Sequence, residues 1–438
     1  MPLILTLIGI LALVFLVAYI RLDTFISFVI VSLGIGLASG MSVTAVGKSI
    51  QTGIGSTLGD LVLIIGFGAM LGRIVAESGA ARRITNVLIN LFGVKNIRWG
   101  LALAGFIVGI PLFYNAGFII VVPLIFTIAA SSRLPLLSVA IPMLSALSVA
   151  HGYLPPHPSP SAVAGQLNAN IGQTLIYGII ISIPAIVIAG PLFGKTLVNQ
   201  KASPNRELFD IRDVPDHDLP GAGISFFVAL LPVLLLTTFG PLKAALPDTS
   251  PLKPAVTLMA EPYIGMLLSV LTAAYALGLR RGQSMKAVMK DLEDAIKAAA
   301  PILLVIAGAG ALKQIFSDSG TSKYIGGLLA GAPIPPLVLA WGIAAFIRVC
   351  VGSATVAGLT TVSIILPLIQ SQPIKPELMV LAIGAGSLMF SHINDPAFWL
   401  YKEYFNLTIP QTIRSWSLME TLVSIIGLLG VLALNLVV

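Results

Sequence analysis

The chain has 438 residues, 57% of them hydrophobic and only 10% charged, with a formal net charge of +7 and a mean hydropathy of +0.99. Soluble domains carry about 25% charged residues, so this composition excludes a water-soluble globular protein. The positive charge is better read as bases that collect in the cytoplasmic loops of a membrane protein than as a surface for nucleic acid. The single cysteine, Cys350, rules out a disulfide within the chain.

The first apolar run, PLILTLIGILALVFLVAYI (2–20), ends in YIRLDTF with no small-residue cleavage site. It predicts an uncleaved span rather than a signal peptide. FISFVIVSLGIGLA (25–38) predicts a second span and LVLIIGFGAMLG (61–72) a third, with Asp60 placed as its N-cap after GSTLG. Then WGLALAGFIVGIPLFYNAGFIIVVPLIFTIAA (99–130) is apolar but interrupted: Pro111 and Gly117 bracket LFYNA, and bases stand at both ends, Arg98 and Arg133. This pattern predicts a reentrant hairpin with its tip near Asn115. LLSVAIPMLSALSVA (136–150) runs into AHGYLPPHPSP (150–160), which has two histidines and four prolines. Proline removes a backbone donor and stops a helix, so this span breaks. LIYGIIISIPAIVIAGPLF (175–193) closes the first half, and the charged stretch 195–221 reads as a cytoplasmic linker in which His217 has no role.

The second half reads alike. Spans at 222–240 and 260–278 precede a basic stretch, then LVLAWGIAAFIRVCVGSATVAGLTTVSIILPLI (337–369) carries GSAT at mid-length as a second hairpin tip. LMVLAIGAGSLMF (378–390) runs into SHINDP as a second broken helix, and LMETLVSIIGLLGVLALNLVV (418–438) is a last span. Lipid offers no partners to backbone groups, so all spans must be helices. The expected fold is therefore an all-α polytopic membrane protein with about ten transmembrane helices, two reentrant hairpins and two broken helices.

An internal repeat relates the halves. ESGAARRI (77–84) resembles DSGTSKYI (318–325), and the same offset aligns Ala116-Gly117 with Ala357-Gly358, Pro135 with Pro376 and His151 with His392. Bases follow the third span in the first copy (Arg73, Arg82, Arg83, Lys95, Arg98) but precede its counterpart in the second (Arg280, Arg281, Lys286, Lys290, Lys297). Lys and Arg favour the cytoplasmic side, so the copies are expected to have inverted topology, as in many secondary transporters. The expected organisation is a first repeat over 1–194 (scaffold 1–60, transport 61–194), the linker 195–221, and a second repeat over 222–438 (scaffold 222–297, transport 298–438).

Broken helices are tolerated at membrane depth only where they line a cavity, which makes their polar residues the candidate site. Intramembrane ionisable groups usually face such a cavity, so His392 and Asp395 are proton-coupling candidates; the plainer reading has Asp395 capping a helix. His151 is the repeat counterpart of His392. His157 and Ser159 lie in the proline-rich break, with capping the plainer role for Ser159. Asn115, Gly117, Gly352, Ser353 and Thr355 are tip residues, whose following helices aim backbone N–H groups at an anion. Arg348, just before GSAT, is a candidate carboxylate clamp; an interfacial position or a pair with Asp395 fits equally. No cofactor is implied. An intramembrane metalloenzyme built on His151, His157, His392 and Asp395 lacks a ligand spacing such as HExxH.

IGSTLGDLVLIIGFGAMLGRIV (54–75), LSVAHGYLPPHPSP (147–160), VGSATVAGLTT (351–361) and FSHINDPAFWLYKEYFNLT (390–408) resemble the gluconate permease family of gluconate:proton symporters over nearly the whole chain. The resemblance implies proton-driven import of gluconate or a related sugar-acid anion across a bacterial inner membrane. It further implies a homodimer of inverted repeats working by an elevator movement. Asn394, in the SHINDP break, is a further substrate-binding candidate. Many relatives place a glutamate where LFYNAGF has Asn115, which leaves sodium as the alternative coupling ion. D-serine or another small carboxylate is the alternative substrate.

Overall fold

A chain this apolar must satisfy its backbone internally, and it does so in helices. The computed structural model describes residues 2–204, 218–321, 324, 334–371 and 374–438, among which no strand occurs. The linker residues 205–217, with His217, and Lys323 in the second repeat motif lie outside the described residues.

The first half contains α1 (Pro2–Val14), α2 (Thr24–Ala38), α3 (Val43–Glu77), α4 (Ala80–Phe92), α5 (Ile97–Gly109), α6 (Tyr114–Ser132), α7 (Leu136–Tyr153), α8 (Pro158–Leu167) and α9 (Ile171–Val187). The second contains α10 (Ala222–Ala245), α11 (Lys253–Met259), α12 (Pro262–Ala273), α13 (Met285–Asp318), α14 (Pro336–Val351), α15 (Ala354–Ser371), α16 (Pro376–Gly386), α17 (Pro396–Tyr404) and α18 (Leu418–Leu434). The series α3, α5, α6, α7, α8, α9 thus has its counterpart, in the same order, in α13 to α18.

Among the described residues, six helices are long and apolar enough to cross a membrane, or eight if each of two bent pairs counts as one span. The rest of the expected spans are the shorter apolar helices such as Thr24–Ala38 and Pro336–Val351, cut short where the chain turns or breaks. Leu7, Ile8 and Leu11 on α1 and Ile26, Ile30 and Leu33 on α2 are exposed, as a face toward lipid tails requires. In contrast α7 is buried along its whole length except for the half-buried His151, and α16 is buried from Glu377 to its end. A helix that is apolar on all sides belongs at the centre.

One sequence expectation is refined here. Residue 60 lies within helical backbone: α3 is capped by Ser42, whose hydroxyl accepts from the Ala45 N–H (3.2 Å), and continues to Glu77, but its axis bends by 46° between Val43–Gly59 and Leu61–Glu77. GSTLG, with its small, weakly helical residues, immediately precedes that bend. The boundary drawn at 60/61 thus falls at the bend of α3, and that at 297/298 inside α13.

Those two helices cross in backbone contact. A Cβ on Gly53 would meet the Gly310 carbonyl and would stand 2.8 Å from Gln314 Cβ, while one on Gly310 would stand 2.7 Å from Thr57 Cβ. Small residues are what allow membrane helices to approach this closely. Gly310→Val is therefore expected to destabilise the detergent-solubilised protein by about 1–3 kcal/mol, read as a lowered melting temperature in a thermal size-exclusion assay. Gly342→Val, at a position where an added Cβ would meet no atom within 4 Å, is expected to leave it unchanged.

Candidate functional site

The breaks predicted from proline and glycine are present and meet. The first hairpin turns between α5 and α6 at residues 110–113, and the second between α14 and α15 at Gly352 and Ser353. α7 ends at Tyr153 and the chain resumes helix at Pro158; α16 ends at Gly386 and helix resumes at Pro396. The two broken helices abut, since a Cβ on Gly384 would meet the Gly152 carbonyl and one on Gly152 would stand 2.8 Å from Leu388 Cγ. α15 lies on α8 through Gly358, whose Cβ position is 3.0 Å from Ser159 Oγ.

A cavity of about 370 Å³ opens where these interruptions converge, within the size range of small-molecule sites. Its lining includes Tyr114, Ser148, His151, Arg348, Asp395 and Glu420, with Gly352, Ser353 and Thr355 at the second hairpin tip. Three helices begin at its wall: α6 at Tyr114, α15 at Ala354 and α17 at Pro396. Helix N-termini present free N–H groups and the positive end of the dipole, so this wall suits an anion.

Asp395 and Arg348 form the charged floor of the cavity. Asp395 caps α17 by accepting from the Ala397 N–H (2.9 Å), and its other oxygen accepts from both Arg348 and the Ser391 hydroxyl. The plainer capping role and the pairing role are thus both filled at once. Arg348 is 4% exposed and also donates to the Gly352 carbonyl, which fixes the tip of the second hairpin against the SHINDP loop. Its Nε has no partner among the described residues. Tyr114 Oη, His151 Nδ1 and Glu420 Oε2 are likewise buried without a partner there. Buried polar atoms are normally paired, so four such atoms on residues lining one cavity mark a place where a polar ligand supplies the missing bonds.

Ser391 is held in turn by the segment just before α18. Trp416 Nε1 donates to Ser391 Oγ (2.8 Å) and Ser417 donates to its carbonyl. Residues 413–417 form a π-helical turn that pushes Trp416 into the cavity wall, a distortion often found at functional sites.

Of the residues chosen from sequence, His151, Arg348, Gly352, Ser353, Thr355 and Asp395 line the cavity. His157 lies behind His151, with its ring 5.4 Å away and its Nε2 donating to the Gly109 carbonyl (2.8 Å). Gly117 does not reach the cavity; it packs on Leu147, 3.0 Å from its Cβ position. Ser159 is buried one residue inside α8, so it is not the N-cap; His157 occupies that position, because the two prolines set where the helix can start. His392 and Asn394 point away and both donate to the Val349 carbonyl (2.9 and 2.8 Å), tying the loop to the end of α14. The side chain of Asn115 lies outside the described residues, although its backbone is in the first turn of α6. Sequence reasoning passed over Ser148, Tyr114, Trp416 and Glu420. The one available signal was Glu420, a lone acid in an otherwise apolar run.

Helices that break within a multi-pass membrane protein to enclose a polar cavity define a solute-transport protein. The fold agrees with that class. The chain is similar to the YdaH transporter of Alcanivorax borkumensis (TM-score 0.65, 17% identity, covering 94% of this chain and 97% of that one). It is also similar to MtrF of Neisseria gonorrhoeae, solved within a class of antimetabolite efflux pumps (TM-score 0.67, 16% identity, 94% of each). More specifically, residues 1–437 match the profile of the GntP family permeases, and the chain belongs to that family. It is 45% identical to a high-affinity gluconate transporter of Escherichia coli over the full length of both, and 45% identical to the Gnt-II system L-idonate transporter of the same organism over 99% of each. It is 42% identical to the gluconate permease of Bacillus subtilis, again over both full lengths. The chain is thus a permease and not an enzyme, a multi-pass protein of the bacterial inner membrane.

Proposed function

We propose that this permease imports gluconate or a closely related sugar-acid anion in symport with protons. The observation that carries the anion is the union, on one cavity wall, of three helix N-termini with the unpartnered Nε of buried Arg348. A planar guanidinium edge fits a carboxylate, while Ser353, Thr355, Tyr114 and His151 offer partners for sugar hydroxyls. Full-length relatives named for gluconate and L-idonate support the substrate class.

Two inverted repeats, matched in the order of their helices, provide two alternative packings of one site and hence alternating access. In this reading the hairpins and broken helices move together as an elevator, against a scaffold that also forms a homodimer. Proton coupling follows from carboxylates and histidine around a buried site; sodium is the alternative ion.

Uptake by purified protein in proteoliposomes tests the whole reading. Labelled gluconate should accumulate under an inward proton gradient, compete with idonate, and show counterflow. Accumulation driven by sodium alone would replace the coupling ion, and competition by D-serine but not by sugar acids would replace the substrate.

A further inference from the structure

Around the cavity, one acid has no evident structural task. Asp395 has donors on both carboxylate oxygens, from Ala397 N–H on one and from Arg348 and Ser391 on the other. Both of its oxygens are thus already engaged in holding the loop. His392 does not line the cavity at all and is tied to the Val349 carbonyl. Glu420 differs from both. It sits in the first turn of α18, is 2% exposed and lines the cavity. Ser148 donates to its Oε1 (2.6 Å), while its Oε2 is buried with no partner among the described residues.

From this geometry we propose that Glu420 carries the coupled proton, and that in its protonated form the Oε2 hydroxyl donates to the substrate anion in the cavity. The inference rests on the proton-symport reading above and names the group that performs it. The other charged and titratable groups that face Glu420 are Arg348 on α14 and Asp395 at the start of α17, Tyr114 on α6, and Tyr153 on α7. His151 on α7 shares its cavity, and so does Trp416. Tyr153 is engaged elsewhere, donating to the Val423 carbonyl (2.5 Å).

Charge balance explains why proton and anion must travel together. Arg348 balances one carboxylate, and Asp395 already takes it. An ionised Glu420 would then face an incoming carboxylate within one small cavity, where like charges repel. Protonation removes that repulsion and turns Oε2 from an acceptor into the donor that the anion needs. The proton is taken from the outside medium onto Oε2, accompanies the anion, and returns to water on the cytoplasmic side once the anion has left. No other bond forms or breaks.

The test uses full-length protein in proteoliposomes with labelled gluconate. Wild type is measured first under imposed pH and sodium gradients. If it responds to sodium and ignores pH, the proton-symport reading fails and this proposal with it. If wild type responds to pH, Glu420→Gln decides the proposal: the amide keeps a donor but cannot exchange a proton. Gluconate/gluconate exchange should then persist while pH-driven accumulation falls to the equilibrium level, and gluconate binding should lose its dependence on pH. Accumulation by Glu420→Gln above equilibrium, with the wild-type pH profile, overturns the proposal and leaves symport standing. Should that variant fail to fold, Ser148→Ala serves instead. Removing the Ser148 hydrogen bond to Glu420 should move the pH midpoint of gluconate binding, and a midpoint at the wild-type value would overturn the assignment.

Discussion

Arg348→Ala is expected to abolish gluconate uptake and to destabilise the folded protein by about 3–5 kcal/mol. The guanidinium holds three things together: the Asp395 carboxylate, the Gly352 carbonyl and, through its free Nε, the cavity. Its removal strands a buried carboxylate without a counter-charge, which costs far more than the net worth of an intact pair. The effect on transport should exceed the effect on folding, because Arg348 also lines the cavity with an unpartnered Nε that can donate to the anion. Two further variants separate these contributions. Arg348→Ala with Asp395→Ala removes both charges and should recover much of the thermal stability but none of the uptake; the double-mutant cycle isolates the pair. Arg348→Lys keeps a charge but loses the planar fork, so folding should survive with a KM raised at least tenfold. Thermal melts in detergent and initial rates in proteoliposomes, normalised to reconstituted protein, read both. An Arg348→Ala protein that transports at the wild-type rate would remove Arg348 from the site.

Gly352→Ala should be nearly as damaging, for a purely steric reason. Gly352 has φ +83, a backbone conformation that costs an L-residue about 1–2 kcal/mol. The added Cβ would also run into the Asn394 carbonyl and come to 2.8 Å from the Asn394 Cγ. The neighbour cannot yield easily, because Asn394 is bonded to Val349 and Asp395 to Arg348. The strain must therefore separate the second hairpin tip from the SHINDP loop. That movement displaces Ser353, whose hydroxyl accepts from the Val356 N–H (3.3 Å), and with it the N-terminus of α15. Uptake should fall more than tenfold while the protein remains in the membrane. Alanine at Gly34, which has no neighbour within 4 Å of its Cβ position, is the matching control. Equal uptake by the two variants would contradict the close contact.

Much of this was legible in the order of residues. The prolines of YLPPHPSP and SHINDP announced breaks that the helices honour at Tyr153 and Gly386, and GSAT announced a hairpin tip at Gly352 and Ser353. The pairing of Arg348 with Asp395 was one of the readings open from the sequence, and it is the one found. Other placements were not set by local sequence. His392 was chosen as an ionisable group in a broken span, and His151 as its repeat counterpart, but equivalence of position does not set where a side chain points. His151 faces the cavity while His392 folds back onto Val349. Asp60 looked like a helix start because local propensity suggested one; the chain bends by 46° there without ending the helix that Ser42 caps. Glu420 was overlooked in a run that spans the membrane without interruption.

Composition and the placing of proline and glycine thus settled, without coordinates, that the chain crosses a membrane in helices and where those helices stop. Both follow from local physics: apolar solvent demands internal hydrogen bonds, and a missing N–H or a left-handed φ acts on its own few neighbours. Which polar groups share a cavity was decided only by tertiary packing. Ser148, Arg348, Asp395 and Glu420 come from four separate segments, and their convergence depends on the sum of many helix contacts that no single stretch of sequence encodes.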